Sequence, residues 1–292
     1  MTTLLKLYPA AFRREFGEEM AHAYHEATAG AGRTERLREA ADVIGHALRM
    51  RLGLGSTGRA GRLVAAVAPF AAVALGGYAS WWSGLALRPL SVVAFEDLGV
   101  TFPLLALHQL VTLLGVVMAL TGRWTAGTWT ALAGIVAGLG VDAARGNPGG
   151  FGFTALFIAP ALLLAVVALL CPPDLRPVGR VRTVTGVAAT TVWAAAMVIA
   201  LVVPSPAYNP LDALQTLVPV AGGLLLAGRQ AFARLRTAPA VFLAGLPFVV
   251  LGTMTGALNV LAAGPALGLL LGAAVVVGVR GRRGGRDPLA GA

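Results

Sequence analysis

Apolar residues gather into eight runs, each near the twenty or so residues that a membrane-spanning helix needs. They lie near residues 63–82, 101–120, 124–141, 152–170, 183–203, 211–228, 240–257 and 262–279. The first closes on an interfacial pair, Trp81-Trp82. The last two form one nearly continuous stretch broken by Gly256, Asn259, Gly264 and Pro265. That stretch is too long for a single span at about 1.5 Å per residue, so it reads as a hairpin. Ahead of the first run the pattern changes to charge alternating with hydrophobe at helical period. Pro9 suits the first turn of a helix. Phe12, Phe16, Met20 and Tyr24 recur every four residues, with Ala23 and Ala27 beside them. Gly30-Ala31-Gly32 breaks that helix, and Thr34 is the expected cap of a second one. Its apolar face is Leu37, Ala40, Ala41, Ile44, Ala47 and Leu48.

The pattern predicts an all-α polytopic integral membrane protein with about eight transmembrane helices. Residues 1–56 form a cytoplasmic amphipathic helical hairpin, here called the head, with a basic linker. Residues 57–280 form the bundle, and 281–292 a short basic tail. A helical hairpin of this size is too small for a self-sufficient core. It has to pack on the membrane domain, on lipid or on another protein.

Composition agrees. Hydrophobic residues make up 57% of the 292 and charged ones only 12%, against about 25% in an ordinary soluble domain. The mean hydropathy is +0.77. These values exclude a disordered chain, a coiled coil and a typical nucleic-acid-binding domain. The net charge is nevertheless +10, and its placement is informative. Under strict alternation of the eight runs, 21 of the 23 basic residues fall on one side: the N-terminal 62 residues, the connections after spans two, four and six, and the tail. Only Arg88 and Arg145 fall on the other. This positive-inside asymmetry places both termini in the cytoplasm. No apolar segment of a secretory signal occurs in the first 30 residues, which predicts the same for the N-terminus.

Lys6 is the only lysine. The arginine, alanine and glycine bias suggests GC-rich coding and a bacterial source, hence a bacterial plasma membrane. Juxtamembrane arginines such as Arg59, Arg62, Arg280 and Arg283 are expected to meet anionic lipid headgroups, each worth on the order of 1 kcal/mol. With no reading helix or aromatic platform beside them, no nucleic-acid partner is expected. Cys171, the single cysteine, cannot form an internal disulfide and reads as a small hydrophobe at a helix end.

The run from Tyr8 to Met20 carries Tyr8, Pro9, Phe12, Arg13, Phe16, Gly17, Glu19 and Met20. It resembles the N-terminal prefix segment of some bacterial ABC-type permeases. Similar segments open many actinobacterial multi-pass membrane proteins, and related helical heads accompany PadR-type transcription regulators. The resemblance covers roughly the first 50 residues. Beyond it the pattern departs from such permeases, because no large extracellular domain follows the first span. The resemblance implies a cytosolic interaction or signalling module with no known chemistry. Those eight residues are the candidate partner-binding set. They serve either docking on the chain's own cytoplasmic loops or recognition of a separate cytosolic protein. Gly17 costs about 1 kcal/mol relative to Ala inside a helix, which a close backbone approach there would offset.

Candidate chemistry is sparse. Glu19 and His22 have the spacing of di-iron helices, but such sites need two copies of the motif and further carboxylates. His22, His25 and Glu26 stand in the wrong order for a zinc protease motif. A solvated helix face accounts for them, and the same reading covers His46. His108 and Gln109 lie near the middle of the second span, where polar groups are costly. They are either a proton relay or substrate contact, or a histidine bonded to a neighbouring helix. Asp142 and Asp212, at outer helix ends, line a vestibule or are interfacial charges. Small residues at four-residue spacing (Gly134 and Gly138; Gly252 and Gly256; Gly264, Gly268 and Gly272) serve a dimer interface or packing within the bundle. The chain carries no phosphate-binding loop and no nucleophile elbow. No catalytic residue, cofactor or metal is therefore expected. The expected function is that of a non-enzymatic, membrane-anchored regulatory or interaction protein whose head engages a partner. The alternative is a transporter or permease, or the membrane subunit of an ABC-type transporter, with polar groups near His108 and Gln109.

Overall fold

A computed structural model describes residues 6–30, 32–56, 58–87, 101–144, 150–176, 224, 231–254 and 260–284. Among them the fold is all-α, with no strand. The helices are α1 (Ala10–Thr28), α2 (Arg33–Arg51), α3 (Arg59–Leu87), α4 (Thr101–Leu120), α5 (Trp124–Ala144), α6 (Gly150–Leu169), α7 (Ala238–Met254) and α8 (Val260–Gly284), with a short 3-10 turn at Pro173–Leu175. Helices cover six of the eight apolar runs. The runs 183–203 and 211–228 lie outside the described residues, apart from Leu224. Among the described residues, two helical stretches, Arg59–Ser83 and Trp124–Val141, are long and apolar enough to cross a membrane. The apolar stretches of α4, α6, α7 and α8 are shorter.

The chain divides into two compact units. One is Met1–Val64 together with Leu170–Leu175; the other is Ala65–Leu169 with Arg176–Ala292.

In the first unit, Pro9 stands just outside α1 with φ −55°. Its carbonyl accepts the Arg13 N–H at 3.1 Å, so the ring presets the first turn. The second helix starts two residues earlier than a Thr34 cap would give, at Arg33, and Thr34 is not its cap. Gly32 precedes the first turn, and its N–H donates to Glu35 Oε2 at 3.1 Å. This is one half of a capping box, with an acid placed at the positive end of the helix dipole. After α2, Gly53 adopts φ +64°. The N–H of Leu54 reaches Arg49 O at 2.8 Å and that of Gly53 reaches Met50 O at 3.2 Å. This pattern closes a helix only where a residue accepts the left-handed region, so glycine belongs there. Just beyond, a hydrogen bond from Ser56 holds the Asp174 carboxyl below its usual range, helped by a backbone hydrogen bond. The linker before α3 and the turn after α6 therefore meet.

The second unit is built around α3, buried from Ala65 to Ser80. Val73, Leu75, Tyr78 and Ala79 share a core with Leu113 and Val116 of α4, Ile135 of α5, Ala161 and Ala165 of α6 and Leu251 of α7. Much of this interior is alanine, which lets helix axes approach closely. The tightest contact is between α4 and α5. Gly122 turns the chain between them at φ +93°. His108, Thr112, Gly115 and Ala119 on α4 then face Gly138, Gly134, Ala131 and Gly127 on α5 in antiparallel order. A Cβ on Gly115 would collide with the Ala131 backbone, one on Gly127 with that of Ala119, and one on Gly134 with Thr112 and His108.

Large apolar side chains of this unit point outward. Leu104, Leu107 and Leu114 form an exposed stripe on α4, Leu163 is 64% exposed and Leu269 77%. Leucine and valine thus line the outside as well as the interior, more exposed large apolar side chains than a water-soluble domain usually carries.

Candidate functional site

The sequence motif falls on α1 and the turn before it. Tyr8 is buried, and its ring stacks on Phe12 at 5.2 Å between centroids. Phe12 continues to Phe16 at 5.0 Å. The Tyr8 hydroxyl lies 3.0 Å from His46 Nδ1 and 3.3 Å from Val43 O, both on α2. One turn further, Arg51 Nη2 donates to Lys6 O at 3.0 Å. The segment Lys6–Pro9 is thus strapped along α2, and Tyr8 is the anchor that positions α1. Burial raises the Tyr8 hydroxyl above its ordinary value, with Arg49 opposing. Burial and the Arg49 guanidinium both push the His46 imidazole down.

The rest of the motif is differently placed. Phe16, Arg13 and Glu19 are exposed, and Phe12, Gly17 and Met20 half-buried. No residue of α1 is fully buried. The close approach expected at Gly17 does not exist: a Cβ there would meet no atom within 4 Å. The helix rotates so that Met20, Tyr24 and Thr28 turn inward, while Phe16, Ala23 and Ala27 face solvent. The hydroxyl of Thr28 bonds back to Tyr24 O at 2.7 Å. Glu15, Glu18, Glu19, His22, His25 and Glu26 are exposed along the same helix.

Within the second unit, His108 is buried and its ring lies close against α5: a Cβ on Gly138 would sit 2.6 Å from His108 Nδ1. Gln109 is half-buried. Asp142 lies one turn beyond Gly138 near the end of α5, and its side chain is outside the described residues, as is Asp212 entirely. Among the described residues no three His, Cys, Asp or Glu side chains come together to hold a metal.

Trp124 Nε1 donates to Ala168 O at 3.0 Å, and Arg176 Nη1 donates to Thr125 Oγ1 at 2.8 Å. The start of α5 and the chain just past α6 therefore share one end of this unit. Elsewhere, a cavity of about 120 Å³ opens between α3, α6 and α7, lined by Tyr78, Pro160, Leu163, Pro247 and Val250 among others. Its lining is apolar.

Packing within the bundle accounts for Gly134 and Gly138. It does not account for Gly264, Gly268 and Gly272, where an added Cβ would meet nothing within 4 Å. The sequence reading passed over Gly115, Gly127 and Ala131. Their signal was a spacing of four, three and four on two neighbouring helices, not the four-residue repeat alone. Comparison with protein families, curated proteins and solved structures gives no match.

Proposed function

We propose that the chain is a non-enzymatic, membrane-anchored interaction or regulatory protein of about eight spans, whose cytoplasmic head engages a protein partner through α1. The resemblance of residues Tyr8 to Met20 to permease-prefix heads belongs to this reading. The observation that carries it is the contrast between the units. One exposes leucine and valine over an alanine-rich interior, as lipid-embedded helices do. The other holds an amphipathic helix with an outward aromatic and no buried residue of its own.

Two contacts support the alternation of spans. Ser56 meets Asp174, and Thr125 meets Arg176. In each pair the two residues are separated by an even number of expected spans, as residues on one side of a membrane must be. Both pairs agree with the proposed alternation, in which Arg176 belongs to the arginine-rich cytoplasmic side. Between α4 and α5, His108 packs against Gly138 at the glycine seam, and the cavity is apolar. Both features favour a packed bundle over a solute pathway at His108 and Gln109.

The test is photo-crosslinking in cells with the full chain. A crosslinker at Phe16 is expected to trap protein, and one at Leu163 only lipid. Capture of lipid alone at both positions would sink the reading. Cysteine-labelling of positions 123, 176 and 234 from the cytoplasm, and of 88 and 145 from outside, checks the span count.

A further inference from the structure

We infer that the head's partner is a second copy of itself, the acidic stripe of α1 in one protomer lying against the arginine-bearing first turn of α2 in its partner. The inference rests on the reading of the head as the interacting part and names its occupant. It starts from an unfinished core: α1 buries no residue, and Phe16, Ile44 and Leu52 are exposed. A hairpin of this size reaches a stable core most readily by joining another, which makes a four-helix arrangement.

The charges say which surfaces meet. On α1, four glutamates outnumber two arginines. Glu15, Glu19 and Glu26 form one exposed stripe, running beside the exposed apolar positions Phe16, Ala23 and Ala27. On α2 the balance reverses, with five arginines and three acids. Arg33 and Arg36 are exposed in the first turn of α2, and Ile44 is exposed farther along. A twofold axis satisfies both contacts at once, because α1 of each protomer meets α2 of the other. An anionic lipid surface is the poorer occupant, since the acidic stripe would face like charge.

The experiment uses the full chain in nanodiscs, with two differently labelled copies and self-association read by energy transfer. One variant carries Glu15→Lys, Glu19→Lys and Glu26→Lys; the other carries Arg33→Glu and Arg36→Glu. Wild type is expected to self-associate. Each variant alone is expected to lose at least about tenfold in association, because like charges then face each other. Mixed together, the two variants are expected to pair, since both contacts are again opposite in sign. Helix content by circular dichroism shows that each variant still folds. A monomeric wild type overturns the inference. So does undiminished pairing of either variant with itself, which would locate the dimer elsewhere, or failure of two folded variants to pair. If Phe16 in the crosslinking experiment traps a different protein and never a second copy, the self-pairing fails while the proposed function stands.

Discussion

The Tyr8 hydroxyl sits 3.0 Å from His46 Nδ1 and 3.3 Å from Val43 O, joining the first described turn of the chain to the second helix. The single proton of that hydroxyl goes to one acceptor at a time. Donation to Nδ1 requires a neutral imidazole. Donation to Val43 O leaves the tyrosine oxygen to accept from Nδ1–H. Tyr8→Phe removes both possibilities and is expected to lower head stability by about 1 kcal/mol. Tyr8→Ala also removes the ring stacked on Phe12, and is expected to cost roughly 3–5 kcal/mol. Thermal unfolding followed by the fluorescence of a label on α1 reads the difference. Equal losses for the two variants would mean that the ring contributes nothing.

The same pair sets a pH window. His46 is held below its ordinary value near 6.5, so folding favours the neutral ring. Its contribution is complete above that value and falls away as pH drops through it toward the lower folded value. Tyr8 is raised above 10.0, so its contribution is complete below 10.0 and is lost as pH climbs toward the folded value. Head stability is expected to be level between about pH 6.5 and pH 10 and to decline on either side. In His46→Gln the acid-side decline attributable to this residue should disappear. A denaturant midpoint measured across pH checks both limbs.

Glycine substitutions separate packed from open helix faces. Gly115→Ala drives a methyl into the Ala131 backbone, and Gly138→Ala drives one into the His108 ring. Overpacking of this kind costs about 1–3 kcal/mol, with Gly115 the worse because backbone cannot rotate aside. Gly268→Ala meets no atom within 4 Å and is expected to be neutral or slightly stabilising. Melting temperatures in detergent order the three. Destabilisation by Gly268→Ala would show that another helix packs on that face.

Gly17→Ala provides an independent reading of the head. With nothing within 4 Å of the added methyl, the substitution is expected to stabilise α1 by about 1 kcal/mol through helix propensity alone. A loss of stability in the isolated protomer would mean that an atom does seat against Gly17.

Legibility differed by kind of signal. The apolar runs near 63–82, 101–120 and 124–141 anticipate α3, α4 and α5 because length and hydropathy are local properties of the chain. The hairpin was equally readable from the four-residue period and the break at Gly30 to Gly32. The exact cap was not. Whether Gly32 or Thr34 closes the helix end depends on where Glu35 points, and composition does not encode that. The face that α1 turns inward was missed for a related reason. Its rotation is set by the strap from Lys6 to Tyr8, a tertiary contact spanning some forty positions of chain. Tyr8 stood out in the motif as a partner-binding candidate, and only the structure turns it inward. The glycine seam fell between these cases. Its positions were visible one by one, but the pairing of α4 with α5 was needed to see that two spacings matched.

That seam also has a kinetic side. Its contacts begin beside the Gly122 turn with Ala119 and Gly127, pass through Gly115 with Ala131, and end at His108 with Gly138. Each closed rung shortens the loop that the next must close, so the two helices can zip outward from the turn. Contacts of such short sequence separation form early and cost little loop entropy. The α4–α5 pair is thus expected to organise itself before the later helices pack. His108 is the rung farthest from the turn, so its burial is expected to report completion of the pair.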